Sequence, residues 1–304
     1  MSETCLEKVV CSNCGADDYS VVYPAKYQRR DTDDAVSTFR SSGDEILIDQ
    51  LVKCKACGLQ YLNPRLRAGL ILTAYSSGSD EIFVSQSEAR ERTFDQQLKR
   101  IERIAKKGRV LDVGTAGGSF LAAARKRGWE VEGCEPNRWL CEWAKQNYGL
   151  SITPGTIFDL NQKNESFDVI TLWDVLEHTL DPKSVLTECR RLLKPNGILV
   201  INYPDIGSWI ARFMGRRWVF LLSVHLFYFT FETLQKMLRQ TGFTVIQRKK
   251  HWQGLELDYI LERMKAYVPI LPGCLQRAVR ALRVGKLIIP YWMGQTLVIA
   301  RRDE

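Results

Sequence analysis

Short apolar runs and stretches of helical period alternate through the middle of the chain. Arg109–Val113, Glu130–Cys134, Phe167–Trp173 and Gly197–Tyr203 have the length and apolar content of buried strands. Between them, Ser119–Arg127 and Trp139–Tyr148 read as helices. Asp181 reads as the N-cap of a further helix with Pro182 in its first position, stopped by Lys194-Pro195-Asn196-Gly197. This alternation predicts an α/β fold with a doubly wound parallel sheet, whose ligands bind at the carboxyl ends of the strands. Upstream, Ala68–Tyr75 and Arg90–Lys107 are helical, the second placing Phe94, Leu98, Ile101 and Ile104/Ala105 on one face. Downstream, a Trp-rich insertion at 205–229 precedes a helix near Thr230–Gln240 closed by Gly242. Strands Thr244–Lys250 and Thr296–Arg301 then flank a second insertion at 251–295. The chain divides at 1–63, a cysteine module ending at Asn63-Pro64, at 64–107, a helical linker or cap, and at 108–304, the main domain.

Composition narrows the setting. Hydrophobic residues at 45% and charged residues at 26% are ordinary values for a chain with a real core. No apolar run approaches the ~18 residues of a membrane span. The opening MSETCLEK lacks the basic and apolar regions of a secretory signal. The expectation is a cytoplasmic, reducing home, where nine cysteines do not build a disulfide framework. Charge is uneven: residues 1–60 hold 7 Lys/Arg against 10 Asp/Glu, whereas 205–304 hold 16 against 7. An acidic cysteine module is poorly suited to gripping nucleic-acid phosphates. In the second insertion Leu275, Val279 and Leu282 recur at helical spacing among Arg277, Arg280, Arg283 and Lys286. The main reading is a surface helix covering the core; the alternative is peripheral contact with the inner face of a membrane through 269–292.

The first strand runs directly into Val110-Leu-Asp112-Val-Gly114-Thr-Ala-Gly117-Gly118-Ser. Small residues let the backbone approach a ligand, and the next helix presents free N–H groups to a carboxylate. The spacing departs from the G-x-G-x-x-G of dinucleotide sites. Asp112 would repel a pyrophosphate but favours an ammonium group. Glu135, 17 residues after Gly118 at the end of the next strand, can accept both hydroxyls of a ribose. Together these features point to S-adenosylmethionine.

Cys11-x-x-Cys14-Gly15 and Cys54-x-x-Cys57-Gly58 are two knuckles of one design. Each turn aims two thiolates at a single tetrahedral ion, which predicts a zinc ribbon; a redox pair is the alternative. Cys5, Cys134, Cys141, Cys189 and Cys274 show no pairing pattern.

VLDVGTAGG, the CEP ending at Pro136, SFDVITLWDVLEH and LLKPNGILVINYP resemble the motifs of class I, Rossmann-like methyltransferases of the ubiquinone O-methyltransferase-like type, over roughly Arg90–Phe243 and the last strand. The resemblance implies S-adenosylmethionine held by Asp112, Gly114, Gly117, Gly118 and Glu135. Adenine would lie near Gly155-Thr156-Ile157, with Trp173 and Asp174 beside the sulfonium and acceptor. A cysteine module followed by CGLQYLNPR and such a core resembles enzymes that tailor sugars, glycans or natural products. In the resembling enzymes an E-x-x-E-H cluster is a magnesium site; here Asp174, Glu177 and His178 occupy it, with Asp174 a shorter arm. A similar H-L-x-x-F segment approaches the active site in relatives, matched here from His225. Either His178 or His225 can remove an acceptor proton. His251, beside Lys249-Lys250, reads as a surface residue. The expected activity is methyl transfer to an oxygen, or alternatively a nitrogen or carbon, of a small-molecule, sugar or lipid-linked glycan acceptor. The rivals are a zinc-containing RNA methyltransferase and a non-catalytic binding protein on the same fold.

Overall fold

The computed structural model describes residues 5–27, 46–76, 78–264, 275–276, 279, 281–282 and 284–304. It begins with short strands: β1 (Leu6–Glu7), β2 (Tyr19–Tyr23), β3 (Leu51–Cys54), β4 (Gln60–Leu62) and β5 (Arg65–Leu66). Strand β1 pairs with β5, and β2, β3 and β4 form an antiparallel meander. In the two cysteine knuckles Gly15 N donates to Cys11 O (2.7 Å) and Gly58 N to Cys54 O (3.0 Å). Both glycines have left-handed φ, +76° and +79°, which a side chain would strain. Residues 28–45 of this module lie outside the described residues; on either side of them Tyr27 OH donates to Asp49 (2.8 Å).

Helices α1 (Ala68–Ser76), α2 (Glu81–Val84) and α3 (Ser87–Ile101) follow. The sequence pattern runs α3 on to Lys107, but the helix ends six residues earlier. Arg127 and Trp129 both bond the Glu102 carboxylate (2.9 and 3.2 Å), and the chain turns there toward the sheet, leaving Ile104 exposed.

The sheet is built from β6 (Arg109–Val113), β7 (Glu130–Glu135), β8 (Thr153–Pro154), β9 (Phe167–Trp173), β10 (Leu193–Pro204), β12 (Phe243–Lys250) and β15 (Gln295–Arg302). Its order is β12-β15-β10-β9-β6-β7-β8. Strand β15 runs antiparallel to β10 and β12, and the β10–β9, β9–β6, β6–β7 and β7–β8 pairs are parallel. Helices α4 (Ser119–Lys126), α5 (Arg138–Tyr148), α6 (Pro182–Leu192) and α8 (Phe231–Gln240) connect them. Local chemistry places their starts. Asp181 accepts from Lys183 N and Ser184 N with Pro182 in the first turn, and Thr230 and Thr233 form a reciprocal capping box.

Alternating side chains divide the sheet between two cores. Val110, Val169, Val200 and Ile299 pack on one face with Leu98 of α3 and Phe120 of α4. Leu111, Ile170, Leu199 and Val298 pack on the other with Leu186, Leu234 and the N-terminal Leu51, Val52 and Tyr61. The 205–229 insertion forms α7 (Trp209–Met214) and then β11 (Phe227–Tyr228), which pairs with β4 and so joins the N-terminal sheet. Leu47 N to Leu221 O (2.8 Å), Ile48 N to Ser223 Oγ (3.1 Å) and Leu62 N to Leu226 O (3.0 Å) extend this seam.

The second insertion contributes β13 (Gln253–Glu256), α9 (Leu257–Met264) and β14 (Ile288–Tyr291), with β13 paired to β14. Of the basic helix expected at 275–286, Arg277, Arg280 and Arg283 lie outside the described residues; of its apolar positions Val279 is buried while Leu275 and Leu282 are exposed. Among the described residues no helix is long and apolar enough to cross a membrane.

The packing of α4 on β7 gives a direct test. A Cβ added at Gly133 would lie 2.7 Å from Leu121 Cδ1 and 3.1 Å from Thr115 Cγ2. Gly133→Ala should therefore lower unfolding stability by about 1–3 kcal/mol through overpacking. Urea denaturation measures this; an unchanged midpoint would mean that α4 shifts freely.

Candidate functional site

A cavity of about 1360 Å³ opens at the carboxyl ends of β6, β7, β8 and β9. Its floor contains two carboxylates taken out of water. Asp112 accepts a hydrogen bond from Thr171 Oγ1 (2.6 Å), and burial pushes its pKa up to about 7. Glu135 accepts from the amides of Ala116 and Asn137 (2.9 Å each), and burial raises it to about 7 as well. Burial outweighs the hydrogen-bond donors at both, and among the described residues no neighbouring cation offsets it. Such a pair suits a ligand that brings an ammonium group and hydroxyl donors, as S-adenosylmethionine does.

The loop between them is shaped for close approach. Gly114 has φ +65°, and a Cβ there would meet Val175 Cγ2 at 2.8 Å. Gly117, Thr156 and Ile157 line the cavity beside Gly114. Gly118 does not: it caps the start of α4 and faces Leu150 and Ala144, so its part is to turn the chain. Thr156 donates through its amide and hydroxyl to Asp159 (2.7 and 2.8 Å), holding the segment next to Ile157. Trp173 packs against Phe94 and Phe120 (5.2 and 5.4 Å between centroids), its indole N–H without an acceptor.

Beyond Trp173 the predicted Asp174, Glu177 and His178 cluster divides. Asp174 adopts φ +54° and accepts from Asn202 Nδ2 (2.7 Å) and Gln253 Nε2 (3.3 Å). Burial raises it to about 6, against the lowering influence of Arg90. Only a three-residue helical turn, Leu176–His178, follows, so the one-face spacing of a longer helix does not arise. Instead Glu177, His178 and His225 bring one donor atom each within 4.8 Å of the others. The Glu177 carboxylate is buried with no hydrogen-bond partner among the described residues, and burial raises its pKa well above the usual range.

The two imidazoles meet edge to face, 4.7 Å between centroids. His225 Nδ1 lies 2.9 Å from Phe220 O, and His178 Nδ1 lies 3.1 Å from Val224 O and 2.5 Å from Tyr75 OH. A carbonyl can only accept, so the contact with Phe220 puts the His225 proton on Nδ1 and leaves Nε2 bare. Burial lowers His178 to about 4 and His225 well below its ordinary value, so both are neutral near pH 7.

Other residues here escaped the sequence reading. His251 is buried rather than on the surface: it packs on Trp173 (5.5 Å), lines the cavity, and is lowered to about 3 by burial. Edge strand β12 carries it inward, its amide donating to Gln295 O of β15 (3.1 Å). The flanking lysines masked this. Arg90 also lines the cavity, its guanidinium 3.8 Å from the Phe83 ring centre and its buried Nε without a hydrogen-bond partner. It offers a cation to a ligand carboxylate. Its spacing of four from Phe94 was the available signal.

In the N-terminal module, Cys11 and Cys57 Sγ lie 3.4 Å apart and Cys14 and Cys54 Sγ 3.5 Å apart. All four sulfurs fall within 4.8 Å of one another. Cys5, Cys134, Cys141 and Cys189 are buried free thiols.

A family model described as a methyltransferase domain matches residues 86–248. The ubiquinone biosynthesis O-methyltransferase of Histophilus somni is 39% identical over 123 residues, 36% of this chain and 52% of that protein. The protein of the same name from Cereibacter sphaeroides is 29% identical over 153 residues, 46% of this chain and 62% of that protein. The chain thus spans about half the length of the curated relatives it matches. A SAM-dependent methyltransferase from Archaeoglobus fulgidus shares the fold, with a TM-score of 0.50 and 18% identity over 73% of this chain and 100% of that one.

The buried acids make a pH prediction. Their folded pKa values, about 7, exceed those of an unfolded carboxylate, so folding retains protons below that pH and loses stability as pH rises through 7. Asp112→Asn and Glu135→Gln should each gain stability relative to the parent between about pH 4 and 8, by on the order of 2–4 kcal/mol. Thermal unfolding of the ligand-free proteins across this range measures the difference. A pH-independent gap would mean that these groups stay ionised.

Proposed function

The chain belongs to the methyltransferase domain family, and on that premise we propose that it methylates a hydroxyl oxygen of a small-molecule acceptor with a sizeable apolar body. The observation that carries this reading is one cavity holding both the cation-free carboxylates and two neutral histidines. S-adenosylmethionine supplies an electrophilic methyl on sulfur. Asp112 would receive its ammonium group, Glu135 its ribose hydroxyls and Arg90 its carboxylate. Ile71, Leu72, Met214, Val219, Phe220 and Leu222 give the acceptor side apolar walls, which favour an apolar acceptor over a sugar or glycan. The names of the relatives support oxygen as the target.

His225 Nε2 is placed to take the acceptor proton. As the bound cofactor would supply its methyl to the acceptor oxygen and leave as the thioether, the imidazole would take the hydroxyl proton. Phe220 O holds the tautomer this requires. A second reading rests on the unpartnered Glu177 carboxylate. With His178 and His225 it makes a carboxylate and two-imidazole set that suits a transition-metal ion. Magnesium prefers oxygen ligands, and Asp174 is engaged elsewhere, which weighs against it.

The cysteine cluster supports a zinc ribbon. Four thiols converging on one point from two turns match a closed tetrahedral site, Cys11, Cys14, Cys54 and Cys57, and the ion would tie the N-terminal strands together.

Glu135→Ala should weaken S-adenosylmethionine binding by about 1–3 kcal/mol, read by calorimetry. His225→Ala should lower turnover at saturating substrate by ~10²-fold or more with cofactor affinity intact. Survival of turnover would remove the base; loss on chelation, restored by a transition metal, would favour the ion reading. Elemental analysis should find one zinc per chain, lost in Cys11→Ser; zinc-free parent protein that folds normally would overturn the ribbon.

A further inference from the structure

Three segments far apart in sequence bring exposed aromatic side chains to one place. Trp209 and Phe213, one turn apart on α7, are 62% and 85% exposed, and Trp252, just after β12, is 51% exposed. Trp292, between β14 and β15, joins them: its ring centre lies 5.9 Å from that of Trp209 and 6.1 Å from that of Trp252. Single exposed aromatics are commonplace, but a contiguous group of this size is not.

The charge around this face has one sign. Segments 206–222, 243–253 and 287–295 contain six cations, Arg212, Arg216, Arg217, Arg248, Lys249 and Lys250, and no carboxylate. Lys250 Nζ sits 4.3 Å from the Trp292 ring centre, and Arg212, Arg216, Arg217 and Lys249 are exposed. Acids beside these segments are engaged: Asp205 is buried and paired with Arg248, Asp174 accepts from Gln253 (3.3 Å), and Arg248 and Arg212 influence Glu232. Tryptophans mixed with lysine and arginine match the headgroup region of a bilayer, where the indole body is buried and the cations meet anionic lipid. Protein interfaces are by contrast depleted in lysine.

We propose that this face, formed by Trp209, Phe213, Trp252 and Trp292 with Lys249 and Lys250, seats the protein on an anionic lipid surface. The tryptophans pack on one another rather than standing apart to receive nucleic-acid bases, so a bilayer fits them better than a single strand. The face also adjoins the cavity. Met214 follows Phe213, and Tyr291 and Met293 flank Trp292, and all three line the cavity wall. An apolar molecule dissolved in the membrane therefore has a short dry path to the site. Only Trp292 comes from the 269–292 stretch that the sequence singled out; the remaining aromatics lie on α7 and at the end of β12.

Co-sedimentation with vesicles tests the proposal. The full chain should bind vesicles of equal parts phosphatidylglycerol and phosphatidylcholine, bind phosphatidylcholine alone weakly, and lose affinity as salt rises. Phe213→Ser with Trp252→Ser, and separately Lys249→Glu with Lys250→Glu, should weaken binding to the anionic vesicles about tenfold or more. None of these residues lines the cavity, so unchanged S-adenosylmethionine affinity checks that the variants fold. Absence of binding to anionic vesicles, or equal binding by the variants, overturns the proposal. It is equally overturned if the face instead mediates a dimer that the variants dissociate, or if single-stranded RNA displaces the vesicles from it.

Discussion

Asp112 and Glu135 are held out of water at the ends of adjacent strands, and neither has a cation to meet it. An isolated carboxylate in such a place is costly, so its surroundings must be fixed well enough to keep hydrogen-bond donors aimed at it. Thr171 of β9 serves Asp112, and the amides of Ala116 and Asn137 serve Glu135. These contacts demand parallel pairing of β6, β7 and β9 in one register, and the left-handed turn at Gly114. The fold thus carries the cost of two buried acids, a cost that a positive ligand would offset. The order of the sheet and the chemistry of the site follow from the same burial.

The acceptor side is governed differently. His225 lies on a segment that owes its position to hydrogen bonds with the N-terminal strands, through β4 and β11 and through Leu47 and Ile48. His178 in turn borrows a carbonyl of that segment, Val224 O. A module that looks appended in the sequence thus braces the segment that carries His225, and its Ile46 reaches the cavity.

What could be read from the sequence was what local rules determine. Strands β6, β7, β9 and β10, the caps at Asp181 and Thr230, and the carboxylates near the end of β6 and at the end of β7 all have signals within a few residues of themselves. The placement of His251 had none, since it depends on the pairing of β12 with β15, nearly fifty residues further on. The separation of Asp174 from Glu177 was equally hidden. Helical spacing assumes a helix, and the positive φ at Asp174 is stabilised by Asn202 and Gln253 from other strands. The short elements α2, α7 and β13 carry too few residues for any periodicity to emerge.

The placing of β15 bears on how the molecule is made. Among the described strands it is the last to be synthesised, yet it lies between β10 and β12 rather than at the edge. Until it emerges, β12 has no neighbour to pair with, and the apolar face of α8 (Leu234, Met237, Leu238) has only an incomplete sheet to cover. A growing chain can assemble the cofactor strands early, but it must carry an open β10 edge and a loose β12 until translation reaches the final strand. The nascent protein passes through a stage in which the strands that carry Asp112 and Glu135 are formed and the β12–β15 side of the sheet is not.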